Sequence, residues 1–371
     1  MARGRRQGVV IAGGGVAGSL AALALARHRP EVPLLIVEEQ ESFGGACFHP
    51  LFTDEVDRPE QALLAAIPGL RWPGFYLAFP GLARNLKGAI GGFTPAALHR
   101  TMIETLRPDQ YRIGTRIVAV REDALVLDGG ETIKAEGALD ARGATNLSML
   151  DLLYENRVER QIRTTAPHRL DRPLLVDATV EQNLGFSFIQ AFPLGEDRLR
   201  IARLLVSERS QPDEAADARL DHYLELRGWR TAEVEASCDL ARPLPIGGDF
   251  SGFWRIGGAR VAKLGLRGGF LHPATGRTLA DAARTALLLA EQKDFSGTAL
   301  HDLFEEQAKQ LWKKRELHRS VNGAIASAPP EARRATAEQL YRLDAGTLVR
   351  FLGDRLGLLD RHRVQKAVRG G

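Results

Sequence analysis

The hydrophobic positions of the first forty residues follow a strand, helix, strand pattern. An apolar, β-branched run at 9–12 predicts a buried strand, and the Ala- and Leu-rich run at 19–26 predicts a helix. A second apolar run at 34–37 predicts another strand, which ends in Glu38. A Gly-x-Gly-x-x-Gly motif separates the first strand from the helix, at Gly13, Gly15 and Gly18. This order predicts the first βα unit of a dinucleotide-binding fold.

The three glycines suit the binding of a pyrophosphate. They permit a tight turn, close approach of the backbone to the ligand and close packing of the helix on the strand, and the helix N-terminus supplies amide donors. Glu38 lies about 20 residues beyond the last glycine, where an acid reaches a ribose hydroxyl. We therefore expect nucleotide contacts at Gly13, Gly15, Ala17, Gly18 and Glu38. The alternative is that the glycines serve only a tight turn.

Three later segments predict further backbone contacts with the same nucleotide. The paired glycines Gly44 and Gly45 indicate either a loop that passes close to the ligand or a simple surface turn. A small-residue strand over 137–143 ends in an Asp-Ala-Arg-Gly turn at Gly143. The loop 266–276 precedes a predicted helix at 278–290, so it offers a second cradle of amide groups. Its candidate contacts are Gly268, Gly269, Pro273, Thr275 and Gly276.

The remaining pattern predicts the domain organisation. A helix is expected over 94–106, short strands over 111–120, 124–127 and 131–135, and an irregular aromatic stretch over 59–91. Residues 151–255 are rich in alternating strands, at 172–179, 185–192 and 198–206, followed by a polar helix at 213–227. The fold class expected is α/β: a Rossmann-like part (1–150 and 256–295), an inserted antiparallel sheet that faces the substrate (151–255) and a helical C-terminal region (296–371).

Composition excludes several classes of function. The 371 residues carry a net charge of only +4, with 26% charged and 44% hydrophobic residues. Neither a block of like charges nor an apolar run of about 20 residues is present, so nucleic-acid binding and a membrane span are not expected. The basic residues 1–7 lead directly into a strand rather than into a signal-peptide core, and we expect a cytoplasmic protein.

The two cysteines and the basic C-terminal region lead to separate expectations. Cys47 and Cys238 are far apart in sequence and have no metal-ligand spacing, so neither a disulfide framework nor a metal site is expected. From about residue 296 the chain is basic and amphipathic. This region either rests peripherally on an anionic membrane surface or forms the solvated face of a helical bundle, and charge runs favour the second alternative.

Motifs along nearly the whole chain resemble those of bacterial lycopene β-cyclases, to about residue 320. The most specific are the strand Asp177-Ala178-Thr179-Val180 and the loop His272-Pro273-Ala274-Thr275-Gly276. The others are the N-terminal glycines with Glu38, Gly44-Gly45, Trp72-Pro73-Gly74, Asp140-Ala141-Arg142-Gly143 and the segment 245–250.

This resemblance implies a membrane-associated protein that binds FAD and acts on a linear carotenoid. In the implied reaction an acid protonates a terminal alkene, a ring closes through a carbocation, and a proton is lost. Reduced FAD, maintained with NAD(P)H, is expected to stabilise the cation, which agrees with electrostatic preorganisation. A water-excluding apolar pocket would protect the cation from capture.

Two departures from the family pattern concern the pocket. The family has an acidic pair where this chain has Ala202 and Arg203, and neither residue can donate the required proton. The polar and aromatic segment after the paired glycines is replaced by Ala46-Cys47-Phe48-His49-Pro50. A cyclase reaction in this chain therefore requires an acid from elsewhere.

Asp249 is the first candidate for that acid, with Glu208 and Asp54 behind it. A carboxyl in an apolar pocket has a raised pKa and stays protonated. Each of these residues is alternatively a surface or capping carboxylate. His272, in the second cradle, is either a proton carrier near neutral pH or a histidine that only satisfies backbone groups.

Three functions are compatible with these motifs. The first is a lycopene-cyclase-like enzyme with a relocated acid. The second is an FAD- and NAD(P)H-dependent oxidoreductase or hydroxylase acting on another apolar, isoprenoid-like substrate. The third is a catalytically silent paralogue that binds flavin and carotenoid. All three share one expected fold, and none of them indicates an oligomeric state.

Overall fold

The computed structural model describes residues 7–182, 184–210, 214–257 and 260–369. The strands are β1 (Gln7–Ala12), β2 (Leu34–Val37), β3 (His49–Phe52), β4 (Leu70–Phe79), β5 (Leu82–Phe93), β6 (Tyr111–Arg112), β7 (Ile117–Arg121), β8 (Ala124–Leu127), β9 (Thr132–Asp140), β10 (Leu150–Thr164), β11 (Leu174–Asp177), β12 (Phe186–Pro193), β13 (Arg198–Ser207), β14 (Thr231–Gly248) and β15 (Ala262–Lys263).

The helices follow the same chain order. They are α1 (Val16–His28), α2 (Arg58–Leu64), α3 (Pro95–Thr105), α4 (Ala216–Leu226), α5 (Phe250–Arg255), α6 (Leu279–Ala290), α7 (Gly297–Lys314), α8 (Glu316–Ser327), α9 (Arg333–Tyr341), α10 (Ala345–Leu352) and α11 (Leu358–Arg369). Across the described residues, none of these helices has the length and apolarity needed to cross a bilayer.

The first sheet is the Rossmann-like part of the molecule. Its order is β6-β2-β1-β9-β8-β7, with β15 beside β9, and β1 runs parallel to both β2 and β9. Val9 and Ile11 face a layer that contains α1, α6 and α7, whereas Val10 and Ala12 face the β7–β8 hairpin. Because both faces are covered, β1 and β2 are apolar at nearly every position, as in other buried parallel strands.

The second sheet has the order β14-β10-β13-β12-β11-β4-β5-β3 and is antiparallel except where β11 pairs with β4. Its central strands β12 and β13 are buried along almost their whole length. One face packs on the C-terminal helices, through Val321 of α8, Leu340 of α9 and Phe351 of α10. The other face packs on α4 and Trp229. The expected α/β class, with an antiparallel sheet and a helical C-terminal region, is therefore confirmed.

The expectation that residues 59–91 are irregular was wrong. These residues form α2 and most of a long hairpin, β4 and β5. Pro73, Gly74 and the glycines near 90 hid the strand pattern. Gly74 sits at a register shift, where a side chain would meet the carbonyl oxygen of Leu86 at 2.2 Å. The second sheet thus takes three of its strands from the first 93 residues. The expected strand at 111–120 is divided into β6 and β7, and residue 213 of the expected polar helix lies outside the described residues.

The absence of a disulfide was a wrong expectation. Cys47 and Cys238 are bonded, with their Cα atoms 5.9 Å apart across 191 residues of sequence. Pairing of β14 with β10 places Cys238 opposite Glu159, and the carboxylate of Glu159 accepts a hydrogen bond from the amide of Phe48. This long-range strand pairing brings the two sulfur atoms together, and it could not be predicted from the spacing of the cysteines in the sequence.

Candidate functional site

A cleft of about 660 Å³ lies at the carboxyl ends of β1, β2 and β9. This is the place where open α/β sheets bind ligands. Gly13 has a φ of +97° there and packs on the backbone of Ala141. A side chain at Gly18 would approach the carbonyl oxygen of Gly13 to 1.9 Å, so glycine is required for the helix to pack on the turn. Gly15 has open space in front of it.

Glu38 closes the cleft at the end of β2. One carboxylate oxygen accepts a hydrogen bond from the amide of Gly14, and the other accepts one from the amide of Gln40 at 2.8 Å. The residue lines the cleft, as expected for an acid that contacts a ribose. The amide-rich turn, the N-terminus of α1 and the fixed acid together fit a dinucleotide.

Not all of the expected nucleotide contacts border this cleft. Those that line it are Gly13, Gly15, Ala17, Glu38, Gly45 and Gly143. Gly18 and Gly44 support it from behind, and Gly44 donates its amide to the carbonyl of Gly14 at 2.8 Å. The second cradle is displaced along the chain, because Gly265, Leu266 and Thr278 line the cleft.

The remaining cradle residues face other parts of the protein. Gly269 packs on the ring of Phe250, and a side chain at Gly268 would meet the ring of Phe270. Gly276 packs on Arg242, and Thr275 lines a different cavity. Pro273 accepts a hydrogen bond at its carbonyl from Asn322 of α8 at 2.8 Å. These residues join the first sheet to the C-terminal helices.

A buried ion-pair cluster fixes the end of β9 beside the cleft. Asp140 is 1% exposed and receives hydrogen bonds from Arg142 at 2.9 Å and from Arg267 at 3.0 Å. Burial alone would raise the pKa of Asp140, but the two guanidinium groups outweigh it and lower that pKa. Arg142 also lines the cleft, so the cluster holds a guanidinium cation at the border of the cleft, where it could contact an anionic group of a ligand.

A second, mostly apolar cavity of about 70 Å³ lies between the second sheet and α8, α9 and α10. Its apolar walls include Leu175, Val176, Phe186, Phe188, Val206, Leu244, Val321, Ile325, Leu340 and Phe351. The same two chain segments border both spaces: residues 45 and 46 line the cleft while Pro50 lines the cavity, and Thr278 lines the cleft while Arg277 lines the cavity. The cavity and the cleft are therefore bordered by neighbouring stretches of the chain.

The polar end of the cavity is built on β10. Residues directly opposite each other in antiparallel strands share a face. Glu155 lies opposite Val206, Arg157 opposite Leu204 and Glu159 opposite Ala202. These three charged side chains consequently point to the cavity face of the sheet, as does Ala202.

Arg157 holds both carboxylates of this group. Its Nη1 donates to Glu159 at 2.6 Å, its Nε donates to Glu155 at 3.1 Å, and its Nη2 donates to Gln190 at 3.2 Å. Glu159 also accepts from Arg200 at 2.5 Å. Burial opposes ionisation of Glu159, but Arg157 and Arg200 outweigh it and lower the pKa to about 2. Glu159 is therefore a fixed carboxylate.

The expected proton donors lie elsewhere. Asp249 caps α5 by accepting the amide of Gly252 at 2.8 Å, and its side chain is 57% exposed. Glu208 pairs with Arg333 and is 59% exposed. Asp54 is exposed. Arg203 lies on the opposite face of the sheet from the cavity, within 3.4 Å of the hydroxyl of Ser187. The structure thus brings none of these carboxylates to the cavity, and their roles stay predictions.

His272 is buried beneath the cavity rather than in the cleft. Its Nε2 lies 3.1 Å from the carbonyl of Phe351, and its ring centroid lies 4.6 Å from that of His318. Burial first, and then the neighbouring His318 and Arg277, lower the pKa of His272 well below its usual value. The ring is neutral at neutral pH and does not act there as a cation.

Glu155 is the carboxylate that sequence reasoning missed. It is 4% exposed and lines the cavity. Among the described residues that line the cavity, it is the one acidic side chain. The sequence did contain a signal, because charged residues alternate at 155, 157 and 159 and so share one face of the strand. Charged side chains on a buried face have to be paired or placed at a polar site.

The two sheets and the glycine-lined cleft define a mixed α/β protein with a Rossmann-type dinucleotide-binding fold. Residues 8–368 match the family described as lycopene cyclase protein, so the chain belongs to the lycopene cyclase family. It is 29% identical over 358 residues to a lycopene beta-cyclase from Pseudescherichia vulneris, covering 96% of this chain and 92% of that protein. It is 30% identical over 363 residues to one from Paracoccus sp., with the same coverage.

Solved structures share the fold at low sequence identity. A geranylgeranyl bacteriochlorophyll reductase-like protein from Thermoplasma acidophilum superposes with a TM-score of 0.66 at 13% identity, covering 99% of this chain and 98% of that one. A flavin-dependent halogenase from Xanthomonas campestris superposes with a TM-score of 0.61 at 15% identity, covering 99% and 95%.

Proposed function

We propose that this chain is an FAD-dependent cyclase that closes a ring at the end of a linear, carotenoid-like polyene. Membership of the lycopene cyclase family supports the reaction class. The observation that carries the proposal is an apolar cavity bordered by the same two chain segments as the dinucleotide cleft, because such a cavity would take a hydrocarbon close to the cofactor.

The cleft residues have distinct tasks toward FAD. The amides of the turn at Gly13–Gly15 and the N-terminus of α1 would hold the pyrophosphate, and Glu38 would accept from the ribose. The loop at Gly45 and the N-terminus of α6 at Thr278 would border the flavin. When bound and reduced with NAD(P)H, the flavin supplies negative charge beside a developing cation.

The cavity walls orient the polyene and exclude water from a cationic intermediate. At about 70 Å³ the cavity is far smaller than the roughly 300–1,000 Å³ of ligand sites for drug-sized molecules. Entry of a substrate end therefore requires one wall to move. The helical wall of α8, α9 and α10 is the movable one, since the opposite wall is the hydrogen-bonded sheet.

The surface of the protein at α11 has features that would suit uptake of the substrate from a membrane. Leu358 and Leu359 at the start of α11 are 88% and 77% exposed, and basic residues follow them along the helix. Exposed apolar side chains beside cations are typical of peripheral attachment to an anionic membrane. We include such attachment on the cytoplasmic face in the proposal, since a carotenoid dissolves in the bilayer.

An anaerobic turnover experiment tests the proposed function. Purified protein is mixed with FAD, dithionite and lycopene in detergent, and the pigments are separated by chromatography. A cyclic carotene formed without net consumption of NAD(P)H supports the cyclase. Stoichiometric consumption of NAD(P)H with an oxidised or reduced product would instead identify an oxidoreductase, and bound flavin and lycopene without any product would identify a silent paralogue.

A further inference from the structure

On the cavity face of the second sheet, β10 carries two acidic residues opposite a stretch of β13 that carries none. Ala202 is 2% exposed and carries no proton, and Arg203 points to the opposite face. On the neighbouring strand β10, Glu159 lies directly opposite Ala202, and Glu155 follows two places further along the same face. Glu155 therefore shares a sheet face with Ala202, about 13 Å along β10 from the position opposite it, and it is the acid of this face that lines the cavity.

The two carboxylates of β10 are held unequally. Both oxygens of Glu159 are engaged, since one accepts from Arg200 at 2.5 Å and from the amide of Phe48 at 2.9 Å while the other accepts from Arg157 at 2.6 Å. Glu155 receives one hydrogen bond, from Arg157 to Oε1 at 3.1 Å. Within the described part of the chain, no hydrogen bond reaches Oε2 of Glu155, and the residue lines the cavity.

We propose that Glu155, the acidic residue that lines the cavity, is the catalytic proton donor and acceptor of this chain. This inference rests on the proposed cyclase function. It assigns one residue, on the strand beside the expected one, to both proton transfers.

The proton and electron balance closes with one carboxyl group. The O–H bond of Glu155 breaks as a C–H bond forms on the terminal alkene, and the electrons of a second alkene form the ring C–C bond. A neighbouring C–H bond of the resulting cation then breaks, its electron pair forms the new ring alkene, and the proton returns to the carboxylate of Glu155. Substrate and product are isomers, so no electrons and no net proton are consumed.

The surrounding charges suit this cycle. Alkenes are weak bases, so proton release requires that the carboxylate be stabilised once it forms. The Nε–H of Arg157 already points at Oε1 of Glu155, and a guanidinium nitrogen of Arg242 lies 3.8 Å from that oxygen. The carboxylate that forms at the wall of the cavity then supplies negative charge where positive charge develops.

Replacement of Glu155 by glutamine tests the assignment in the flavin-loaded protein. Glutamine keeps the shape and an oxygen that accepts from Arg157, but it cannot exchange a proton. We expect the kcat for cyclisation of lycopene to fall at least 100-fold, the magnitude typical of a positioned acid or base. The KM for lycopene and the binding of FAD should stay within threefold of wild type.

Two comparison variants make the experiment specific. Asp151→Asn removes an exposed carboxylate from the same strand and should leave kcat unchanged. Glu155→Asp keeps the acid but withdraws it by one methylene, so it should retain partial activity. It also serves as the decisive variant if Glu155→Gln does not load flavin.

The outcomes separate this inference from the proposed function. Wild-type activity that survives in Glu155→Gln within threefold, or that is lost in Asp249→Asn instead, overturns the role of Glu155 and leaves the cyclase standing. A wild-type protein that loads FAD but forms no cyclic carotene overturns both. Loss of kcat in Glu155→Gln at constant KM, with partial activity in Glu155→Asp, supports both.

Discussion

Glu159→Gln should lower the free energy of unfolding by about 3 kcal/mol at pH 7. Burial would raise the pKa of this carboxyl, but Arg157 and Arg200 outweigh burial and bring it from 4.5 to about 2. At about 1.4 kcal/mol per pH unit, that difference corresponds to about 3 kcal/mol. The figure agrees with the roughly 3–5 kcal/mol lost when one partner of a buried ion pair is removed.

The pH dependence of this loss has a defined sign. Because the folded pKa is lower than the unfolded one, the stabilisation is complete above pH 4.5 and disappears as the pH falls from 4.5 to about 2. Urea unfolding of wild type and variant should show a constant difference between pH 7 and pH 5. Below pH 4.5 the difference should shrink by up to about 1.4 kcal/mol per pH unit.

Asp151→Asn is the matched control for this measurement, since it removes an exposed carboxylate from the same strand. Its unfolding free energy should stay within about 0.5 kcal/mol of wild type at every pH. A difference below 1 kcal/mol for Glu159→Gln at pH 7, or one that does not change between pH 5 and pH 3, would refute the reasoning.

Three further predictions concern the cleft, the disulfide and the sheet face. Gly18→Ala should weaken FAD binding at least tenfold in a fluorescence titration, because the new methyl group would meet the carbonyl oxygen of Gly13 at 1.9 Å. The control Gly195→Ala, whose methyl group would have no atom nearer than 3.9 Å, should bind FAD like wild type, and equal affinities of the two variants would contradict the prediction. Cys47→Ser should cost about 2–4 kcal/mol in urea unfolding, and dithiothreitol should reproduce the loss in wild type; an unchanged midpoint in both argues against the bond. In the Glu155→Gln background, Ala202→Glu should raise kcat at least tenfold, whereas Arg203→Glu, on the opposite face of the sheet, should not raise it. Equal recovery in both variants would refute the argument that the acid must lie on the cavity face.

The parts of the molecule that sequence predicted are those with local signals. The turn from Gly13 to Gly18 and the acid at Glu38 form one continuous unit, and the structure gives a steric reason for glycine at 13 and at 18, whereas Gly15 borders open space in the cleft. The strands of the second sheet between 174 and 207 were also visible, because their apolar runs are bounded by turn residues. In contrast, the β4–β5 hairpin contains a proline and several glycines, and these residues disguise a strand that bends at Gly74.

Features that depend on long-range pairing were not predictable in this way. The Cys47–Cys238 bond joins a loop of the cofactor part to β14, and only the pairing of β14 with β10 brings them together. The contacts expected at 268–276 do not line the cleft for a related reason, and their role toward the nucleotide stays a prediction. A Gly-rich loop before a helix suits an anion, but here the loop turns toward Arg242 and the C-terminal helices.

Candidate acids in a β-sheet have to be compared by the face on which they lie, rather than by their positions in the sequence alone. The resemblance to the family implies an acid where this chain has Ala202, and motif context alone favours Asp249 as its replacement. The register of β10 against β13 instead sets Glu155, Arg157 and Glu159 on the face that Ala202 shares. The cost of burying charge means that such a cluster persists only where its members are paired or put to use. Both oxygens of Glu159 are held by Arg157 and Arg200, whereas Glu155 accepts one hydrogen bond, from Arg157, and lines the cavity, which is the arrangement expected of a carboxyl group that also serves a substrate.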